Sequence, residues 1–243
     1  RRQPYVEVDK TWVPEYTVTS SEKTIQDITT EKSVDLGDGY AIHAGMGTVE
    51  IHYTEYRRLP IYGGGEASPP MPIDLPPISL RTQLMWIELP TDALETVMSG
   101  IPKQDHIPLS DEQIELGVDS ERYTFAGGLH GAEHGMIKIS PLELRLDNSD
   151  MGGLAIPRHS ETQCPTWFIH DSVEGGVGFS HSIYENFASV AEKTFERVSN
   201  CDCGGVTGCP SCLMSSQCGN NNEPLHTIAT TTILDEVLSR VSN

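Results

Sequence analysis

The segment Cys201–Leu225 reads CDCGGVTGCPSCLMSSQCGNNNEPL and holds five of the six cysteines within its first eighteen residues. Cys209 and Cys212 form a CxxC pair, and Gly208 and Pro210 around the first of them are turn residues. Such a turn lets two thiols reach one ion. Cys203 lies six residues before the pair and Cys218 six residues after it. Thiolates are soft ligands, and Zn²⁺ takes four of them tetrahedrally at about 2.3 Å. The spacing nominates Cys203, Cys209, Cys212 and Cys218. Cys201 is the rival for the first place, because a CxC pair is awkward for joint chelation of one tetrahedral ion. Four thiolates leave no open coordination position, so the site reads as structural. The competing readings are disulfides and a redox CxxC. Neither end carries a secretory apolar segment, which points to a reducing, cytoplasmic compartment where disulfides are rare. A thioredoxin-type pair would follow a strand in a βαβ unit, not sit in a loop rich in Gly and Asn.

The flanks are helical. Ile183, Phe187, Val190, Ala191, Thr194 and Val198 recur with helical period, which predicts a helix from Ser180 or Ser182 to about Val198. After the cysteines, Asn220 to Glu223 cap a last helix with Pro224 in its first turn. Its apolar side is Leu225, Ala229, Ile233, Leu234, Val237, Leu238 and Val241. An ion held by the cysteines would fix where one helix leaves and the other enters.

CxC, then GCPSC, then SxxCGNxNEPL, then an amphipathic helix resembles the C-terminal zinc-binding region of the mitomycin-repair-type superfamily 2 DNA helicases. That family includes bacterial, archaeal and fungal RecQ-like members. LHGAEHGMIKISPLEL (129–144), DNSDMGG (147–153) and TWFIHDSVEGGVGFS (166–180) resemble it in the same order. The likeness is good over about residues 75 to 240 and loose before that. It implies a structural Zn²⁺ in this chain, and ATP and Mg²⁺ only in motor domains that this sequence does not contain. It implies as partners those motor domains, in cis or in trans, and DNA through the whole protein. For that whole protein it implies 3′→5′ unwinding and DNA repair. One departure is visible: relatives carry a cysteine and a basic residue near the 147–153 turn, where Leu146 and Asn148 stand here.

A chain of 243 residues can bury a sizeable core in one or two domains. No apolar run approaches the roughly 20 residues that span a bilayer, so no membrane partner is expected. Net charge is −19, from 35 acidic against 16 basic residues. Phosphate contact needs clustered Lys and Arg, so the surface as a whole is no nucleic-acid sleeve. Alternation through Tyr5–Val8, Trp12–Val13, Tyr16–Val18 and Thr48–Tyr53 predicts strands, continued as a hairpin by Tyr56–Ile61. GGGEASPPMPIDLPP (63–77) has three glycines and five prolines and reads as a loop or hinge. Leu80–Leu89 predicts a buried strand, with a short helix capped by Asp92 after it. Residues 100–120 are polar without period, and a helix is expected over 123–139 despite four glycines. The fold class expected is α+β: an antiparallel β unit (1–75), a mixed α/β domain (76–200), and a four-cysteine zinc knuckle with a C-terminal helix (201–243).

Two further patterns carry chemistry. His130-Gly131-Ala132-Glu133-His134 is an HxxEH string, and i and i+4 side chains share a helix face. Inverted zinc proteases bind metal through such histidines with the glutamate as base, and would need a third ligand such as Glu143 or Asp147. The plainer reading is hydrogen-bonded packing. Thr166–His170 predicts a strand, and Gly175, Gly176 and Gly178 follow it before a helix. That order can hold an anion or DNA phosphate on free amides, or can simply be a tight turn. Cys164 reads as a buried thiol.

ATP-driven translocation needs a GxxxxGK[ST] loop and an acid for Mg²⁺. The sequence has neither. The favoured reading is a non-motor accessory region of a helicase. The alternatives are a zinc scaffold in a phage-defence complex and a zinc hydrolase built on His130, Glu133 and His134.

Overall fold

The computed structural model describes residues 15–60, 67–145 and 150–241. The strands expected at Tyr5–Val8 and Trp12–Val13 lie outside them. The chain forms two compact units, Arg1–Glu22 with Ile51–Ile78, and Lys23–Glu50 with Ser79–Asn243. The cysteine segment therefore belongs to the same unit as the α/β part before it. Among the described residues the architecture is α+β: a six-stranded antiparallel sheet and six α-helices. Strand order is β1-β2-β4-β6-β5, with β3 on β2.

In the first unit, β1 (Glu15–Gly37) and β2 (Tyr40–Pro60) contribute their outer ends. The short β3 (Met71–Pro72), inside the Pro-rich patch, pairs with β2 so that Tyr56 faces Met71. The Ile73 amide continues this pairing to Thr54 O at 2.9 Å. A stretch that reads as linker thus carries a strand stub.

In the second unit, Asp38 and Gly39 turn β1 into β2. β4 (Ile78–Glu88) pairs antiparallel with β6 (Thr166–Asp171), Trp86 opposite Phe168. β5 (Met151–Ile156) covers the other edge of β6. Leu84, Met85, Trp86 and Ile87 are all buried, so β4 has no solvent face there. α1 (Ala93–Ser99) follows, but Asp92 makes no side-chain cap bond. The polar stretch after it contains α2 (Asp111–Glu115), started by a capping box between Ser110 and Gln113.

α3 (Ser120–Leu144) is the central helix, packed against β5, β6, α1, α5 and α6. The helix expected from Ser180 to Val198 is two, α4 (Phe179–Glu185) and α5 (Phe187–Ser199). Asn186 breaks it, its side-chain amide donating to Ser182 O at 2.9 Å. A side chain that competes for backbone groups favours such breaks. The buried stripe of Ile183, Phe187, Val190, Ala191, Thr194 and Val198 is as expected. α6 (Thr227–Val241) opens three residues after Pro224, with His226 Nδ1 accepting from the Ala229 amide at 3.0 Å. Among the described residues no helix is long and apolar enough to cross a membrane.

The glycines of α3 explain why it tolerates them. A Cβ at Gly131 would lie 2.0 Å from Thr230 Oγ1, and one at Gly128 2.6 Å from Ala229 Cβ. The contact is close to the backbone: Thr230 Oγ1 lies 3.2 Å from Gly128 O and 2.8 Å from His226 O, and the His226 amide just before α6 donates to Gly127 O at 3.1 Å.

Gly131→Ala sets two effects against each other. Helix propensity favours Ala by about 1 kcal/mol, but overpacking a rigid contact costs about 1–3 kcal/mol or more. Thr230 is β-branched and hydrogen-bonded, so the clash wins. Urea denaturation should show a net loss of about 1–2 kcal/mol, and a gain would refute the close approach.

Candidate metal centre

The sulfurs that come together are those of Cys201, Cys203, Cys209 and Cys212, all within 4.8 Å of one another. Cys201 Sγ lies 3.7 Å from Cys209 Sγ, Cys203 3.9 Å from Cys212, and Cys209 3.7 Å from Cys212. A tetrahedron of sulfurs 2.3 Å from a zinc ion has edges of about 3.8 Å. A disulfide would bring two sulfurs to about 2.05 Å, and all six cysteines are free thiols. The donor set and its spacing fit structural Zn²⁺.

Cys201 thus stands where the spacing had favoured Cys218. The reason is local. Cys201 extends the end of α5, its amide on Val198 O at 3.3 Å. Gly204, at φ +61°, then turns the chain back. The two cysteines of the CxC pair approach the knuckle from different sides, one beside Cys209 and the other beside Cys212.

The knuckle is built to present sulfur. The Cys209 amide donates to Cys212 Sγ at 3.1 Å, and the Ser211 amide to Cys209 Sγ at 3.3 Å. The Ser211 amide chiefly draws the Cys209 thiol down to about 6. Burial pushes that of Cys212 up to about 12, so an ion there must displace a proton. Val198, Leu213 and Leu225 pack around Cys212 as a small apolar cluster. Arg197 Nε donates to Ser211 O at 2.9 Å and ties the turn to α5.

α3 grips the same segment through residues spaced i, i+4, i+8. His130 Nδ1 donates to Pro224 O at 2.8 Å, and His134 Nδ1 to Leu213 O at 3.0 Å. Lys138 Nζ donates to the carbonyls of Pro210 and Met214. Burial lowers the pKa of His130, and burial then the neighbouring His130 ring bring His134 to about 3. Both rings are neutral. Cys218 stands here, its sulfur 3.5 Å from His130 Nε2.

Glu133 turns elsewhere. It packs against Gly153 of β5, where an added Cβ would lie 2.3 Å from its Oε1. Burial pushes its carboxyl up to about 7, with Lys23 opposing. Lys23, its own pKa lowered by burial, donates to Gly153 O at 2.7 Å and lies 3.5 Å from His170 Nε2. Of the nominated third ligands, Glu143 accepts from Ser189 at 3.2 Å on the surface, and Asp147 lies outside the described residues. The HxxEH string does not gather the carboxylate ligand a hydrolase reading needs. Cys164 is half-buried beside Thr166 Oγ1, at 3.7 Å.

The glycine loop holds an anion, and the anion is internal. The buried Asp171 carboxylate accepts from the amides of Val177 (2.6 Å), Gly178 (2.8 Å), Phe179 (3.2 Å) and Ser180 (2.7 Å). The Gly175 amide is bonded to Arg81 O and that of Gly176 to Val173 O. Gly175, Gly176 and Gly178 therefore have no amide left for a phosphate. Asp171 at the strand end was the legible signal: a carboxylate just before a glycine loop and a helix start.

Residues 132–213 match the family model described as MZB, the MrfA Zn-binding domain. The uncharacterized protein MJ1572.1 of Methanocaldococcus jannaschii is 35% identical over 114 residues, 46% of this chain and all of that protein. The chain belongs to the MrfA Zn-binding domain family. The ATP-dependent helicase HRQ1 of Saccharomyces cerevisiae is 24% identical over 157 residues, 60% of this chain but 12% of the helicase. The fold is shared with a crystal structure of the DUF1998 helicase MrfA bound to DNA, at TM-score 0.58 and 20% identity. That match covers 97% of this chain and 26% of MrfA. The chain thus spans about a quarter or less of either helicase.

Two outcomes test this geometry. Cys212→Ser, or a strong chelator, should lower the melting temperature by ten degrees or more, because structural zinc is folding free energy; an unchanged melting curve would refute the site. Asp171→Ala leaves buried amides without an acceptor and should cost at least about 2 kcal/mol by urea denaturation.

Proposed function

We propose that this chain is the zinc-stapled accessory region of a larger ATP-dependent DNA helicase that serves DNA repair. It docks on motor domains and helps guide a strand as they move. The observation that carries this reading is the tetrahedral convergence of Cys201, Cys203, Cys209 and Cys212 in a chain of the MrfA Zn-binding domain family. A closed set of four thiolates has no position for substrate, so its ion serves architecture. Those cysteines would hold Zn²⁺ and fix α5 against the segment that leads into α6. The work of ATP hydrolysis, with Mg²⁺, falls to the motor domains.

Charge bears on how DNA would be met. With 35 acidic and 16 basic residues, the chain alone has little counterion release to offer a duplex. DNA guidance therefore depends on the motor domains supplying most of the phosphate contacts.

The test is reconstitution. A helicase core encoded in the same reading frame or in a neighbouring gene should associate one to one with this chain. The chain alone should turn over ATP no faster than buffer and bind duplex more weakly than micromolar at physiological salt. The assembled protein should unwind a 3′-tailed duplex, and Cys212→Ser should slow that at least tenfold. Unwinding indifferent to Cys212→Ser, or a core that ignores the chain, would sink the proposal.

A further inference from the structure

We infer a second metal site in this chain, formed by His130, His134 and Cys218, for a divalent ion of the zinc class. It shares no ligand with the four-cysteine centre and does not depend on the helicase reading.

The ligand atoms come from two places that the fold joins. His130 and His134 are one helical turn apart on α3, so their rings share a face. The ring centroids are 4.2 Å apart, edge to face. Cys218 comes from the loop between the CxxC knuckle and α6. One nitrogen from each histidine and the cysteine sulfur lie within 4.8 Å of one another. The distance from His130 Nε2 to Cys218 Sγ is 3.5 Å. Nitrogen at about 2.05 Å and sulfur at about 2.3 Å from one tetrahedral zinc would be about 3.6 Å apart.

The tautomers are fixed in the sense a metal requires. A backbone carbonyl only accepts, so the nitrogen facing it must carry the proton. His130 Nδ1 faces Pro224 O, and His134 Nδ1 faces Leu213 O. Each neutral ring therefore keeps its lone pair on Nε2. Ligating histidines are held in this way, with the second ring nitrogen donating to a carbonyl or carboxylate. Among the described residues, no side chain or amide donates to His134 Nε2. A thiol has one proton and can satisfy one of the two Nε2 atoms; an ion satisfies both and the sulfur together. The Asn222 amide donates to Cys218 Sγ at 3.3 Å, the same N–H···S support found at Cys209 and Cys212.

Two imidazoles and one thiolate are a borderline-to-soft set suited to Zn²⁺ and unsuited to Mg²⁺ or Ca²⁺. The carbonyls of Leu213 and Pro224 bracket the loop that carries Cys218. The ion would pin that loop to α3 while the four-cysteine ion pins the knuckle to α5. With three protein ligands, the fourth position is left for solvent.

Elemental analysis of the purified chain decides the matter. Two zinc ions per chain are expected. Cys218→Ser and His134→Gln should each retain one, and the Cys209→Ser/Cys212→Ser double variant should retain the other. One zinc in the unaltered chain, kept by Cys218→Ser, would overturn the site. So would one zinc lost in Cys218→Ser but kept in Cys201→Ser, which would move Cys218 into the thiolate set. If the variants do not fold, Co²⁺ titration of the unaltered chain still discriminates. Saturation at two equivalents with two distinguishable visible spectra supports the inference, and saturation at one overturns it. Loss of the four-cysteine ion alone would count against the proposed function and leave this site standing.

Discussion

A helix buried on most of its circumference has nowhere to hydrate its polar side chains, and α3 is such a helix. His130, Glu133, His134, Thr124 and Ser140 are all buried on it. Each buried polar atom must then find a partner inside the protein or cost free energy. The partners of the two histidines are carbonyls of the cysteine loop, Leu213 O and Pro224 O. Lys138, one turn further on, takes Pro210 O and Met214 O. The loop is thus seated by the helix whether or not its sulfurs bind anything. Seating it also requires that α6 come close, and Gly128 and Gly131 make room for Ala229 and Thr230. Helix composition, loop position and cysteine convergence are one constraint seen from three sides.

The HxxEH string divides its labour along that helix. His130 and His134 turn to the loop and to Cys218. Glu133 lies against Gly153 of β5, in the same buried surroundings as Lys23. An ammonium is tolerated in such a place because Gly153 O accepts from it and the Glu133 carboxyl is near. A motif that in another setting brings a metal and a base together here separates them onto two neighbours of one helix.

What was legible in the sequence followed physical periodicity. The stripe from Ile183 to Val198 is buried as read, and in α6 Ala229, Ile233, Leu234 and Val237 are buried while Leu238 and Val241 are partly so, since a 3.6-residue period survives most tertiary surroundings. The cysteine cluster was legible as a tetrahedral set, but not its membership. Spacing alone cannot register that the end of α5 and the turn at Gly204 deliver Cys201 and Cys203 from different directions. The partnership of Cys218 with His130 spans 88 residues, beyond any local signal. The break at Asn186 and the strand MGGLAI were missed because a polar residue in a helical stripe and two glycines in a strand both mask periodicity. The glycine loop was read as a tight turn or as a contact for an external anion, and Asp171 was overlooked as the internal carboxylate that its amides hold.

Magnitudes show why the cysteine segment needs ions as well as hydrogen bonds. From Cys201 to Leu225 its buried apolar side chains are Cys212, Leu213 and Leu225. Full burial of a large apolar side chain contributes about 1.5–3 kcal/mol. A structural zinc ion contributes about 10–16 kcal/mol in small domains at neutral pH. An ion held there would therefore outweigh everything the segment itself buries, while α5 and α6 pack directly against each other in the main core. A segment held by an ion in this way keeps a defined shape at the surface of the main core while burying little apolar mass of its own.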